Sequence, residues 1–242
     1  MTQNIYDDQS FFQAYSQLPR SIHGLEGAPE WPALRAMLPD IRNCDVLDLG
    51  CGYGWFCRWA REHGAAQVTG IDVSELMLAR ARSMTNDRAI TYALEDLETI
   101  RLEAKAYSLV YSSLTLHYLK NLEDLFRKVG SALIPSGRLV FSVEHPIFTA
   151  PRRPGWIEEL SGFKAWPVNC YFCEGERSTD WLTKGVIKQH RTIGTYVRLL
   201  LRLGFRLEHL QEWGPSSEQI AAQPILAVER ERPAFLLIAA QI

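Results

Sequence analysis

The run Val46-Leu47-Asp48-Leu49-Gly50-Cys51-Gly52-Tyr53-Gly54 sets an acid on an apolar strand and follows it with three glycines at alternating positions. Glycine there lets a ligand meet backbone N–H groups that any side chain would hold away. A second acid, Asp72, ends the next apolar run, Val68-Thr69-Gly70-Ile71-Asp72. A carboxylate at that strand end is placed to accept hydrogen bonds from both hydroxyls of a ribose. Asp48, just ahead of the glycines, favours a ligand carrying an ammonium group and disfavours a phosphate. The spacing agrees, because G-x-G-x-G replaces the G-x-G-x-x-G of a dinucleotide site. Trp55 stands where the third glycine would fall and would crowd a pyrophosphate. An NAD-linked oxidoreductase is therefore the weaker reading.

These groups need strand ends and helix starts to hold them, and the periodicity supplies both. From Cys44 a β/α alternation sets in: strand 45–49, glycine loop 50–54, helix 55–63 stopped by Gly64, strand 67–72, then a helix capped by Ser74. Met77 and Leu76 lie on that helix at core spacing, with contact to a bound nucleoside edge as an addition. Further strands fit 90–93, 107–112 and 138–144, with an amphipathic helix from Leu122 to Leu133 before the last of them. A helix near 192–203 precedes two closing strands at 205–210 and 234–240. The pattern predicts a doubly wound α/β sheet within one domain, 1–242. Residues 1–43 form an N-terminal helical cap. Residues 146–190, crowded with Phe148, Trp156, Phe163, Trp166, Tyr171, Phe172 and Trp181, form an aromatic insert acting as a lid.

With 242 residues, 47% hydrophobic and 22% charged, the chain can bury a full core. A net charge of −2 and no long Lys/Arg run argue against nucleic acid as partner. No signal peptide or membrane span is read, so the expected location is the cytoplasm. The five cysteines are an odd number, and Cys170 and Cys173 form a lone C-x-x-C, which reads as ordinary thiols; no metal is called for.

S-adenosylmethionine meets the demands of the glycine loop, since it has no phosphate and its tail carries both ammonium and carboxylate. On these residues the chain resembles the class I SAM-dependent methyltransferases, type 11-like, of the small-molecule branch that includes quinone- and biotin-pathway enzymes. The resemblance spans about residues 40–145. It matches Val46–Gly54 to the first motif, Ile71-Asp72-Val73-Ser74 to the second, Glu95-Asp96-Leu97 to the third and Tyr111-Ser112-Ser113 to the fourth-strand motif. It implies a Rossmann-like seven-stranded sheet of order 3-2-1-4-5-7-6 with an antiparallel last strand, and S-adenosylhomocysteine as product. It further implies that Asp96 receives the adenine amino group while Leu97 packs on the ring, with Asp48, Gly50, Gly52, Gly54, Asp72, Val73, Met77 and Ser112 completing the cofactor site. Without the resemblance, 94–98 reads as a solvated turn.

Methyl transfer from a sulfonium is an in-line displacement, so a base is needed only where the acceptor must lose a proton. His145, at the end of the fifth strand, is the first candidate for base or acceptor-orienting group, and His117 the second. His190-Arg191-Thr192 is a weaker acceptor-facing element. In the leader, Tyr6, Tyr15 and Arg20 fold over the cofactor, with Arg20 pairing its carboxylate. The aromatic insert points to transfer onto O, N or C of a small, aromatic or apolar metabolite. A non-catalytic SAM-binding subunit is the alternative. Whether the chain is a monomer or a homodimer stays open.

Overall fold

The strands that begin in the glycine-loop region build the centre of a seven-stranded sheet. In the computed structural model, which describes residues 3–242, β1 (Asp45–Leu49) pairs in parallel with β2 (Gln67–Asp72) on one side and β4 (Tyr107–Ser113) on the other. Beyond them lie β3 (Ile90–Leu94) and β5 (Leu133–Glu144), also parallel. Met1 and Thr2, where the expected 1–43 cap begins, lie outside the described residues.

A short insert follows β5. It holds the two-residue strands β6 (Ile157–Glu158) and β7 (Lys164–Ala165), then an antiparallel hairpin of β8 (Gly175–Trp181) and β9 (Thr183–His190). The sheet closes with β10 (Arg206–Trp213) and β11 (Phe235–Gln241). β11 lies between β5 and β10, antiparallel to both, giving the order β3-β2-β1-β4-β5-β11-β10. That is the 3-2-1-4-5-7-6 order expected, with the last strand reversed.

Helices cover both faces. The leader contains α1 (Gln9–Ser16), α2 (Pro19–Ile22) and α3 (Trp31–Ala36). They are followed by α4 (Trp55–Glu62), α5 (Glu75–Ser83), α6 (Leu122–Ala132), α7 (Pro146–Thr149), α8 (Ile193–Arg202) and α9 (Ser217–Ala222). The core divides by strand alternation. Leu47 and Leu49 face α6 and α8 with Phe126, Phe141 and Leu200, whereas Val46 faces α3 and α4 with Trp31, Phe56 and Leu237. Asp48 shares the Val46 face. Side-chain oxygens cap α5 at Ser74, α6 at Asn121 and α8 at Thr192.

Most boundaries fall within two residues of the sequence reading. The insert differs, because 175–190 is an ordered hairpin and not an irregular loop. Its buried positions include Arg177, Lys188, Gln189 and His190, so no apolar alternation marks it as strand. The Pro135-Ser136-Gly137 turn likewise survives as a bulge inside β5, with Ser136 at φ 66°. Among the described residues all five cysteines are free thiols, and no helix is long and apolar enough to cross a membrane.

Candidate functional site

The carboxyl ends of β1, β2, β4 and β5 open into a cavity of about 360 Å³. Its floor is Gly50, Gly52, Asp72 and Val73, with Met77, Asp96 and Leu97 along one side. The opposite wall comes from His117, Tyr118 and Glu144 at strand ends and from Phe148 and Trp181 of the insert. The leader closes it with Tyr6, Tyr15 and Arg20. A smaller cavity of about 100 Å³ shares Tyr15, Arg20, Gly50 and Gly52 with the first and adds Asp48, Glu30 and Trp55.

The glycines divide by role. At Gly52 (φ 51°) a Cβ would meet nothing within 4 Å, so the bare backbone faces open space in both cavities. At Gly54 (φ 69°) it would lie 2.1 Å from the Tyr92 hydroxyl. Gly54 lines neither cavity; it starts α4 and admits Tyr92, which corrects its expected place at the ligand. Ser112 is a second correction. Its hydroxyl donates to the Leu49 carbonyl (2.7 Å) and ties β4 to β1, while Ser113, one step along the strand, reaches the cavity.

Asp72 is almost fully buried, and its carboxylate accepts the Gly52 N–H (2.8 Å) and the Ser74 N–H (2.9 Å). It therefore fixes the glycine loop against the start of α5. Burial pushes its carboxyl above the usual range against those hydrogen bonds. Among the described residues Asp48 accepts only the weak Cys57 thiol (3.3 Å), and burial raises it to about 7. A cationic group arriving beside it would restore the ionised form.

The leader is bound on two sides. Asp7 accepts the Ser74 hydroxyl (2.5 Å) and the Leu76 N–H (3.1 Å) at the start of α5, and Asn4 donates to the Val73 carbonyl (3.0 Å). Gln3 pairs with Gly185 and Ile187 of the hairpin. Tyr6 and Trp181 each meet Phe11 and Tyr15 edge to face, while Phe11 and Tyr15 stack on each other, with Phe11 fully buried. Arg20 lines both cavities, but its guanidinium is held by the buried Glu30 at 2.8 Å.

Of the two histidine candidates, only His117 reaches the cavity. Burial lowers it to about 4, so it is neutral at pH 7. Its Nδ1 accepts the Glu144 N–H (3.4 Å), which places the ring proton on Nε2. His145 lines neither cavity. Its Nε2 pairs with Glu212 of β10 (2.9 Å) and its Nδ1 accepts the Ile147 N–H (3.0 Å), capping α7. Successive strand residues face opposite ways, so the cavity side of this pair belongs to Glu144, which the sequence reading passed over. Glu144 Oε1 binds the Lys188 ammonium at 2.5 Å, and its Oε2 has no hydrogen-bond partner among the described residues. The signal was there in the two-residue period of 138–144. His190 bonds Thr149 and Tyr171, Arg191 donates to the Leu119 and Lys120 carbonyls, and Thr192 caps α8; these three are structural.

The sequence and the fold that carry this site both resemble known proteins. Residues 47–141 match the family described as Methyltransferase domain. The crystal structure of an S-adenosylmethionine-dependent methyltransferase from Mesorhizobium loti is 54% identical, with a TM-score of 0.88, over 90% of this chain and 100% of that one. A malonyl-[acyl-carrier protein] O-methyltransferase from Enterobacter lignolyticus is 38% identical over 110 residues, 46% of this chain and 43% of its own length. A tRNA U34 carboxymethyltransferase from Idiomarina loihiensis is 27% identical over 188 residues, 64% of this chain and 57% of its own. The chain thus spans less than two thirds of those two relatives. The fold, the cavity at its strand ends and the full-length likeness together place this chain in the SAM-dependent methyltransferases, enzymes that take their methyl group from S-adenosylmethionine.

Proposed function

We propose that the enzyme methylates a small acceptor with an apolar or flat body, held between the glycine floor and the aromatic wall of one cavity. The observation that carries this reading is that leader and insert close over the same cavity that the cofactor residues line, which leaves room for a metabolite and little for a polymer. The chain's net charge of −2 and the absence of a basic track favour the same reading. The bare backbone at Gly52 fits the cofactor, as does the buried carboxylate of Asp72 beside it. In this reading Gly50 and Gly52 take the amino-acid tail, Asp48 faces its ammonium, Asp72 holds the ribose, and Val73, Met77, Asp96 and Leu97 surround the adenine. Tyr15 covers the tail from the leader side. Arg20 presents to it a guanidinium already shared with Glu30, which reduces its part in holding the carboxylate.

When bound, the cofactor supplies an electrophilic methyl on a sulfonium. The chain's own residues orient the acceptor and exclude water. His117, neutral with a proton on Nε2, is a hydrogen-bond donor in this scheme and not a base. The aromatic rings of Phe148 and Trp181 hold the acceptor's body.

Labelled S-adenosylmethionine should transfer its label to a low-molecular-weight metabolite fraction. Label appearing only in tRNA or in acyl-carrier protein would overturn the small-acceptor reading. Asp72→Ala should weaken S-adenosylmethionine binding by about tenfold or more by calorimetry, because the ribose loses a charged acceptor and the loop its anchor; unchanged affinity would remove Asp72 from the site.

A further inference from the structure

Two ion pairs cross the cavity wall in the same sense. Glu144 lines the cavity, and its partner Lys188 does not; the ammonium lies behind it, with the side chain 3% exposed and the nitrogen 5.0 Å from the Trp181 ring centre. Glu229 also lines the cavity, and its partner Arg232, 3.0 Å away and 5% exposed, does not. The Arg232 guanidinium sits over the rings of Phe148 and Trp166 at 4.4 and 4.1 Å, packed into the insert. In both pairs the carboxylate is on the cavity side and the cation on the protein side.

The remaining charged groups sharpen this. Arg20 is the cation lining the cavity among the described residues; its guanidinium is bound by Glu30 and lies 6.0 Å from the ring centre of Phe235, the sheet partner of Glu144. His117 is neutral. The acceptor side therefore presents two carboxylates, Glu144 and Glu229, with the Oε2 of Glu144 buried and without a hydrogen-bond partner among the described residues, and no cation there is free of a carboxylate. Two buried counter-charges stand behind these carboxylates, so each pair is neutral while its anionic end is the one nearer the cavity.

We infer that these paired charges select the acceptor. It is an uncharged or cationic hydrogen-bond donor on an aromatic or apolar body, an alcohol, phenol or amine, and a carboxylate is excluded. This rests on the methyltransferase reading of the same cavity. A donor O–H or N–H meets an acceptor-rich wall and is oriented by it. An anionic acceptor would lose its hydration and meet like charge with no cation to replace the water. Specificity here comes from the repulsion as much as from the attraction.

The test uses the full chain loaded with S-adenosylhomocysteine, whose binding is first read by calorimetry; no binding at that step defeats the cofactor reading itself. Benzylamine, phenol and benzoate are then titrated against the fluorescence of Trp181 and Trp213, which line the cavity. Benzylamine and phenol should bind about tenfold or more tightly than benzoate. Equal binding of all three, stronger binding of benzoate, or no binding of any overturns the inference while the methyltransferase assignment stands. Glu144→Gln alone strands the Lys188 ammonium, so the paired variant Glu144→Gln with Lys188→Met is used, with its thermal melt as the folding control. In a folded paired variant the preference should shrink to about threefold or less; a preference kept in full shows that this pair does not set it.

Discussion

At the scale of single residues, the glycine loop separates ligand chemistry from folding chemistry. Gly52→Ala places a methyl in the open space above the loop, and Gly54→Ala drives one into the Tyr92 hydroxyl. Both carry the left-handed backbone penalty of about 1 to 2 kcal/mol. Only Gly54→Ala adds a clash inside the protein, so it should lower the melting temperature more. Gly52→Ala should weaken S-adenosylmethionine binding more. The reverse ranking in paired melting and calorimetry experiments would overturn this division.

Asp48 gives a pH signature with a definite sign. Its carboxyl lies near 7 when folded, against an ordinary value of 3.8. Between those values the folded chain holds a proton that the unfolded chain has lost, so this group makes stability fall as pH rises, by about 1.4 kcal/mol per unit. Asp48→Asn removes that proton exchange. Urea denaturation of the cofactor-free proteins should show the variant gaining on the parent from pH 4 to 7, and parallel curves would show that Asp48 is ionised throughout.

Among the elements, leader and hairpin share one aromatic cluster. Trp181 meets Phe11 and Tyr15, and Gln3 meets the hairpin backbone. Trp181→Ala should therefore speed amide exchange in both 3–16 and 175–190 while leaving β1 and β4 protected. Faster exchange in the hairpin alone would mean that the two do not close as one unit. The sequence made the strands, α4, α5, α6 and α8 legible because each alternates or repeats around an apolar stripe with a cap or glycine at its end. The hairpin was hidden because Lys188 and His190 occupy its inward positions, where strand patterns expect Val or Ile. Glu144 is legible only from strand phase, because its neighbour His145 carries the more familiar proton-transfer side chain. Arg20 was placed near the cofactor, but the buried Glu30 that binds it, ten residues on, carries no motif.

For the whole molecule, the sheet depends on its last strand. Leu236, Leu237, Ile238, Ala239 and Ala240 in β11 are fully buried between β5 and β10. Burying one large apolar side chain contributes roughly 1.5–3 kcal/mol, so losing three of them and two ladders approaches the 5–15 kcal/mol, about the whole stability, of an ordinary domain. Truncation after Arg232 should leave no cooperative unfolding transition by calorimetry. A sharp transition in the shortened chain would show that β1 to β5 hold together without it.

The reach of the leader across the molecule bears on how the protein is born. Gln3 bonds the hairpin at separations of 182 and 184 residues. During translation, the rings of Tyr6, Phe11 and Tyr15 are made well before Trp181, the hairpin ring they pack with. The nascent chain therefore carries a sticky aromatic segment until the hairpin has been made, and the chamber over the glycines takes shape only after that.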